Sequence, residues 1–152
     1  MAAVTGRRNI VDHFDKPIVG SDRWLMMLGT LSGNPVAAVA GLKTMEILRR
    51  GGAYDRIKVN GKRLMDLNRN HLDAAGEAHR IVGHETLFDV VFIDRDVQAA
   101  NAAKNTRFNA VLRANGVFKS PGKTYLHLAL TEEDFALTDA AIAKAVQAVA
   151  AD

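Results

Sequence analysis

With 152 residues, the chain has room for one domain, or one domain with an appendage, and 48% apolar content gives it material for a core. Twenty basic against seventeen acidic side chains leave only +3, scattered among acids, which argues against a nucleic-acid surface despite a pI near 9.4. The absence of cysteine excludes disulfides, thiolate metal sites and thiol nucleophiles and fits a reducing, cytoplasmic setting; with no signal-peptide pattern and no apolar run near the roughly 20 residues a bilayer requires, a soluble protein without a membrane partner is expected.

Ala2–Val4 reads as a short strand-like piece. Ile10, Val11 and Phe14 stand at helical spacing, so Arg8–Phe14 is predicted as a short helix. Asp15–Asp22, with Pro17 and Gly20, reads as a loop, and the apolar run Trp24–Leu28 as a buried piece. The strongest start signal follows. Asn34 can cap a helix through its side-chain oxygen, and Pro35 occupies the first helical position, where a missing N–H costs nothing. This helix is predicted to run to Arg49-Arg50, whose charges suit the negative end of the dipole, and to close on Gly51-Gly52.

A second long helix is predicted over Tyr54–Ala75, with Ile57, Leu64, Leu67 and Leu72 inward and Gly76 as its stop. Leu87–Ile93, "LFDVVFI", is apolar and β-branched and reads as a buried strand, led into by Ile81-Val82. Val97–Ala114 is predicted as a helix with Ala100, Phe108, Val111 and Leu112 inward, stopped by Asn115-Gly116. Val117-Phe118 and Tyr125–Leu130 read as strands separated by a turn at Ser120–Lys123. Thr131 opens the last helix, with Asp134 in capping-box position and Phe135, Ile142, Val146 and Val149 as its buried stripe. Helices and strands mix without uniform βαβ crossovers, so the expected class is α+β: a small, mostly antiparallel sheet with helices packed on it, preceded by a long helix.

The chemistry visible in the residues is sparse. The five histidines, His13, His71, His79, His84 and His127, show no metal-ligand spacing, so no metal site is expected. Ser21, Ser32 and Ser120 lack the context of a nucleophile elbow, and no phosphate-binding P-loop occurs. What remains is the glycine-rich turn Gly29–Asn34 before the capped helix, which can serve an anion or be a plain tight turn.

That turn carries a resemblance. "GTLSGNPVAAVAGLKTMEIL", Gly29–Leu48, resembles the segment after the active-site region of class III PLP-dependent aminotransferases, most of all the glutamate-1-semialdehyde aminomutase-like branch. "AAVTGRRNIVDHF" (Ala2–Phe14), "VGHETLFDVVFID" (Val82–Asp94) and "LRANGVFKSPGKTYLHLALTEEDFALT" (Leu112–Thr138) are similar to further segments of the same family, in the same order. The resemblance implies the C-terminal portion of a fold type I PLP enzyme: residues 1–33 as a remnant of the large cofactor domain, 34–50 as a linking helix and 51–152 as the small domain. It implies that Gly29 and Thr30 contact the phosphate of pyridoxal 5'-phosphate in the neighbouring subunit. It points to the Lys119–Lys123 loop, and so to Lys119 and Lys123, for an amino- or keto-acid substrate carboxylate; with no arginine there, bidentate capture is not available.

The family's Schiff-base lysine stands in a "GKxxGGG" setting that none of the eight lysines shares. No catalytic residue is therefore expected, nor stable PLP binding by this chain alone. Two functions follow as expectations. One is a fragment of an aminotransferase that works as a homo-oligomer or with a separately encoded N-terminal half. The alternative is a non-catalytic oligomerisation or interaction domain that keeps the small-domain fold.

Overall fold

The computed structural model describes residues 4–27, 29, 30, 32–93 and 97–151; the side chains of 97–101 lie outside it. The chain divides into two compact units, Met1–Arg50 and Gly51–Asp152.

The first unit begins with α1 (Arg8–Val11), which passes directly into a 3₁₀ turn over Asp12–Phe14. The expected loop after it holds one more helical turn, α2 (Lys16–Val19), because Pro17 sits in its first turn, where its fixed φ favours the helix. The chain then folds back: His13 Nδ1–H donates to the Arg23 carbonyl at 2.8 Å and Trp24 Nε1–H to the Phe14 carbonyl at 3.3 Å. Trp24 is half-buried under the Lys16 ammonium, 5.2 Å from the ring centroid. The expectation of burial along the run after it fails among the described residues: Leu25, Met26 and Met27 are 57%, 58% and 54% exposed, with no described residue of the unit covering them, while Leu28 lies outside the described residues. Of the strand-like Ala2–Val4, only Val4 is described, and it is exposed. The unit ends with α3 (Pro35–Leu48), capped as predicted by Asn34, whose Oδ1 accepts from the Ala37 N–H at 3.0 Å.

The second unit opens with α4 (Ala53–Ala74), entered through Gly52 at a left-handed φ of 79°. A hairpin follows, β1 (His79–His84) and β2 (Leu87–Phe92), antiparallel with His84 opposite Leu87. Then come α5 (Val97–Ala114), β3 (Thr124–Tyr125) and α6 (Glu132–Ala150). The sheet has the order β1-β2-β3 and is antiparallel throughout. The fold is α+β, as its mixed periodicities predict.

Helices cover one face of the sheet, so β2 alternates instead of being buried on both sides: Phe88, Val90 and Phe92 point into the core, and Asp89 and Val91 are half-buried. The larger core joins Leu72 of α4, Val90 and Phe92 of β2, Phe108 and Leu112 of α5, and Ala141, Ile142, Ala145, Val146 and Val149 of α6. Phe92 and Phe108 meet edge to face, with centroids 5.7 Å apart. A smaller cluster of Leu64, Phe88 and Phe135 flanks it. Leu67 and Val111, expected inward, are only partly buried against these clusters, and the side chain of Ala100 lies outside the described residues.

Close approach fixes one helix position. A Cβ on Gly61 of α4 would run into the Glu85 carbonyl, so only glycine lets the helix lie this near the hairpin turn. Across the same layer the Arg63 guanidinium grips both Glu132 oxygens at 2.7 and 2.8 Å and lies 3.9 Å over the Phe135 ring.

Two predicted strands shrink or vanish. Val117-Phe118 forms no strand; Phe118 is exposed beneath the Arg113 guanidinium, 5.1 Å from the ring centroid. Tyr125–Leu130 pairs only at its start, because β3 reaches just the Leu87–Phe88 end of β2 before the chain turns toward the cap of α6. Alternating apolar residues in this stretch serve packing instead: Leu126 and Leu130 rest on the Leu64–Phe88–Phe135 cluster.

Candidate functional site

In the first unit, Gly29 and Thr30 open a tight turn closed by the Ser32 N–H donating to the Gly29 carbonyl at 2.9 Å. A Cβ at Gly29 would meet Ser32 Oγ, which can turn aside, so glycine here chiefly leaves the backbone open to close approach. Gly33 takes a positive φ of 72°, and Asn34 follows as the cap of α3. Both Gly29 and Thr30 are exposed, and among the described residues the Thr30 hydroxyl has no hydrogen-bond partner. Exposed backbone at a glycine, an unengaged hydroxyl and the N-terminus of a 14-residue helix four residues on are chemistry that suits a phosphate. In this respect the residues present fit the cofactor group that the resemblance implies.

In the second unit, Lys119 and Lys123 part company. Lys123 is exposed and, among the described residues, pairs only through its backbone, in a bridge to Ser120. The Lys119 side chain is 9% exposed. Its ammonium faces Asp89 Oδ1 at 3.5 Å and donates to the Ser120 and Pro121 carbonyls at 3.0 and 3.3 Å. Burial pushes this ammonium below the usual lysine range, and Asp89 partly offsets the cost of its charge. All three N–H donors thus have acceptors from the chain, which ties the 119–123 loop to the sheet. Sequence reasoning missed Asp89. The signal was a carboxylate inside the apolar run "LFDVVFI", since an acid within a strand core calls for a cation.

Among the described residues no cluster of three histidines or acids could hold a metal, and no helix is long and apolar enough to cross a membrane.

No protein-family model matches the chain. Solved structures do. The chain is similar to an omega-transaminase from Sphaerobacter thermophilus, with a TM-score of 0.76 and 26% identity over 95% of this chain and 34% of that one. A transaminase determined with PLP bound matches with a TM-score of 0.75 and 24% identity, over 97% of this chain and 34% of that one. A thermostable (S)-enantioselective omega-transaminase from Thermomicrobium roseum matches at 0.64 and 19%, over 91% and 32%. The chain spans about a third of the length of the transaminases it matches. Its fold is that of the C-terminal part of such enzymes.

Proposed function

We propose that this chain is the small-domain portion of a class III PLP-dependent aminotransferase, from the glutamate-1-semialdehyde aminomutase-like branch, and that it works in the cytoplasm as part of a larger assembly. The likeness to the Sphaerobacter transaminase over 95% of the chain carries this reading, and the resemblance of Gly29–Leu48 gives it the branch. PLP, when bound in such an enzyme, supplies an electron sink for amino-group transfer. This chain's part is to hold and position. Gly29 brings its backbone close and Thr30 offers its hydroxyl to the cofactor phosphate of a neighbouring subunit. Lys119 fixes the 119–123 loop on the sheet, beside which an amino- or keto-acid substrate passes, and Lys123 is the cation left free to attract its carboxylate. None of the eight lysines stands in the setting of the covalent anchor, so the chain alone is not catalytic.

The partner is a second copy of this chain or a separately encoded N-terminal half. Support comes from the apolar surface of the first unit: Leu25, Met26, Met27, Val36, Val39 and Leu42 are each more than half exposed. Exposed apolar side chains in this number favour association.

Sedimentation of a dilute sample tests the assembly. Oligomers that dissociate in Leu42→Asp are expected; a clean monomer whose Trp24 fluoresces as a water-excluded indole would end the proposal. An absorbance titration with PLP tests the catalytic part. The chain alone is expected to show no stoichiometric uptake and no transaminase activity. Uptake abolished by changing one particular lysine would overturn that.

A further inference from the structure

Between the sheet and the helices of the second unit lies a cavity of about 380 Å³. Leu64 of α4, Phe88 and Val90 of β2, Phe108 and Leu112 of α5, and Ile142 of α6 wall it. It reaches solvent beside Phe118 and Tyr125, both exposed. We propose that this cavity is a binding site for an uncharged two-ring aromatic compound bearing one O–H or N–H donor.

Size comes first. Ligand pockets begin near about 300 Å³, and a cavity of about 150 Å³ lined by leucine, isoleucine and phenylalanine takes one benzene. The volume here is more than twice that, room for two fused rings and a substituent. The walls are aliphatic and aromatic, which suits flat apolar surface.

Charge comes next. Among the described residues no aspartate or glutamate lines the cavity. Lys119 does, but its ammonium is already taken by Asp89 and by the Ser120 and Pro121 carbonyls. The other described residue at the walls that can carry a positive charge, His127, is exposed to water at the rim. A charged ligand would enter with its own charge unmatched, which is costly in an apolar site. An uncharged one enters freely.

The polar handle is Asn68. It is 7% exposed and lines the cavity. Its Nδ2–H donates to the Leu64 carbonyl at 2.8 Å. A carbonyl cannot donate in return, so this bond fixes the amide: Nδ2 faces Leu64, and Oδ1 is left as an acceptor. Among the described residues Oδ1 has no partner. Oδ1 is not among the fully enclosed unpartnered atoms, so it stays within reach of an entering molecule, and a ligand O–H or N–H can donate to it. The Thr138 hydroxyl, half-buried on α6 and also lining the cavity, has no partner among the described residues either.

The test uses the full 152-residue chain and three probes of one ring system: 2-naphthol (uncharged, with a donor), naphthalene (no donor) and 2-naphthoate (an anion). Fluorescence titration at neutral pH is expected to show saturable one-to-one binding of 2-naphthol and a raised thermal midpoint. Naphthalene should bind about tenfold more weakly, the loss of one buried hydrogen bond, and 2-naphthoate more weakly still. Thr138→Phe fills the cavity from a half-buried position and should abolish binding with the far-ultraviolet dichroism unchanged. Asn68→Leu should bring 2-naphthol down to the affinity of naphthalene without changing that of naphthalene. If Asn68→Leu does not fold, the ranking of the three probes on the unaltered chain decides the donor, and Thr138→Phe decides the place. A cavity that holds water only, with no saturable binding of 2-naphthol, overturns the proposal. So does tighter binding of 2-naphthoate, or a folded Thr138→Phe that still binds.

Discussion

Helices α3 and α6 are built from similar material. Both are rich in alanine, both start at a side-chain oxygen cap, and they run for 14 and 19 residues. Yet α6 buries Phe135, Ala141, Ile142, Ala145, Val146 and Val149, whereas α3 buries only Gly41. The apolar residues of α6 fall on one stripe, which leans on α4 and α5. Those of α3 (Val36, Val39, Leu42, Met45, Ile47) point several ways, and no other element of its unit packs against it among the described residues. Apolar content and caps are enough to make a helix. Burial needs a neighbour as well, and a helix apolar on several sides is suited to more than one neighbour.

The contrast can be broken most forcefully in the second unit. Phe108→Ala removes a ring held against Phe92 and is expected to cost about 3–5 kcal/mol, read from the urea midpoint. A loss below about 1 kcal/mol would mean that this core is far looser than its burial implies. Gly61→Ala comes next. Its new methyl group must push the Glu85 carbonyl away, at a cost of about 1–3 kcal/mol in thermal unfolding, with faster amide exchange in the hairpin as a local signature.

The caps sharpen the comparison at smaller scale. Thr131→Ala should cost about 1 kcal/mol, because it removes the side-chain oxygen that accepts from the Asp134 N–H. The Thr131 N–H and hydroxyl hold the Asp134 carboxyl below the usual aspartate value of 3.8. A carboxylate depressed in the folded state stabilises it above 3.8, and that gain disappears as pH falls through 3.8 toward the lowered folded value. Thr131→Ala should therefore show a shallower loss of stability on acidification over that range.

The smallest effect belongs to α3. Leu42→Ala should change the chain's own stability by less than about 0.5 kcal/mol in a dilute sample, since its side chain is already in water. A loss of several kcal/mol would show that the helix is buried in the folded chain after all.

Caps and stripes were legible in the residues because they obey local rules. Asn34-Pro35 starts a helix, Gly52 and Gly76 bend the chain through a left-handed φ, and Thr131 and Asp134 close a capping box; each depends on neighbours within a few positions. The stripes Ile57–Leu64–Leu72 and Phe135–Ile142–Val146–Val149 follow helix period and found the core. The turn at Gly29-Thr30 was visible for the same reason. Tertiary structure decided the rest. Tyr125–Leu130 has strand composition but pairs at one end only, since pairing needs a partner of matching length and β2 offers only its Leu87–Phe88 end. The extent of burial along Leu25–Met27 and α3 depends on what surrounds them, which no local pattern encodes. The Lys119–Asp89 pair joins residues 30 apart in the chain, and Asn68 and Lys119 meet at one cavity, which only the packed fold brings about.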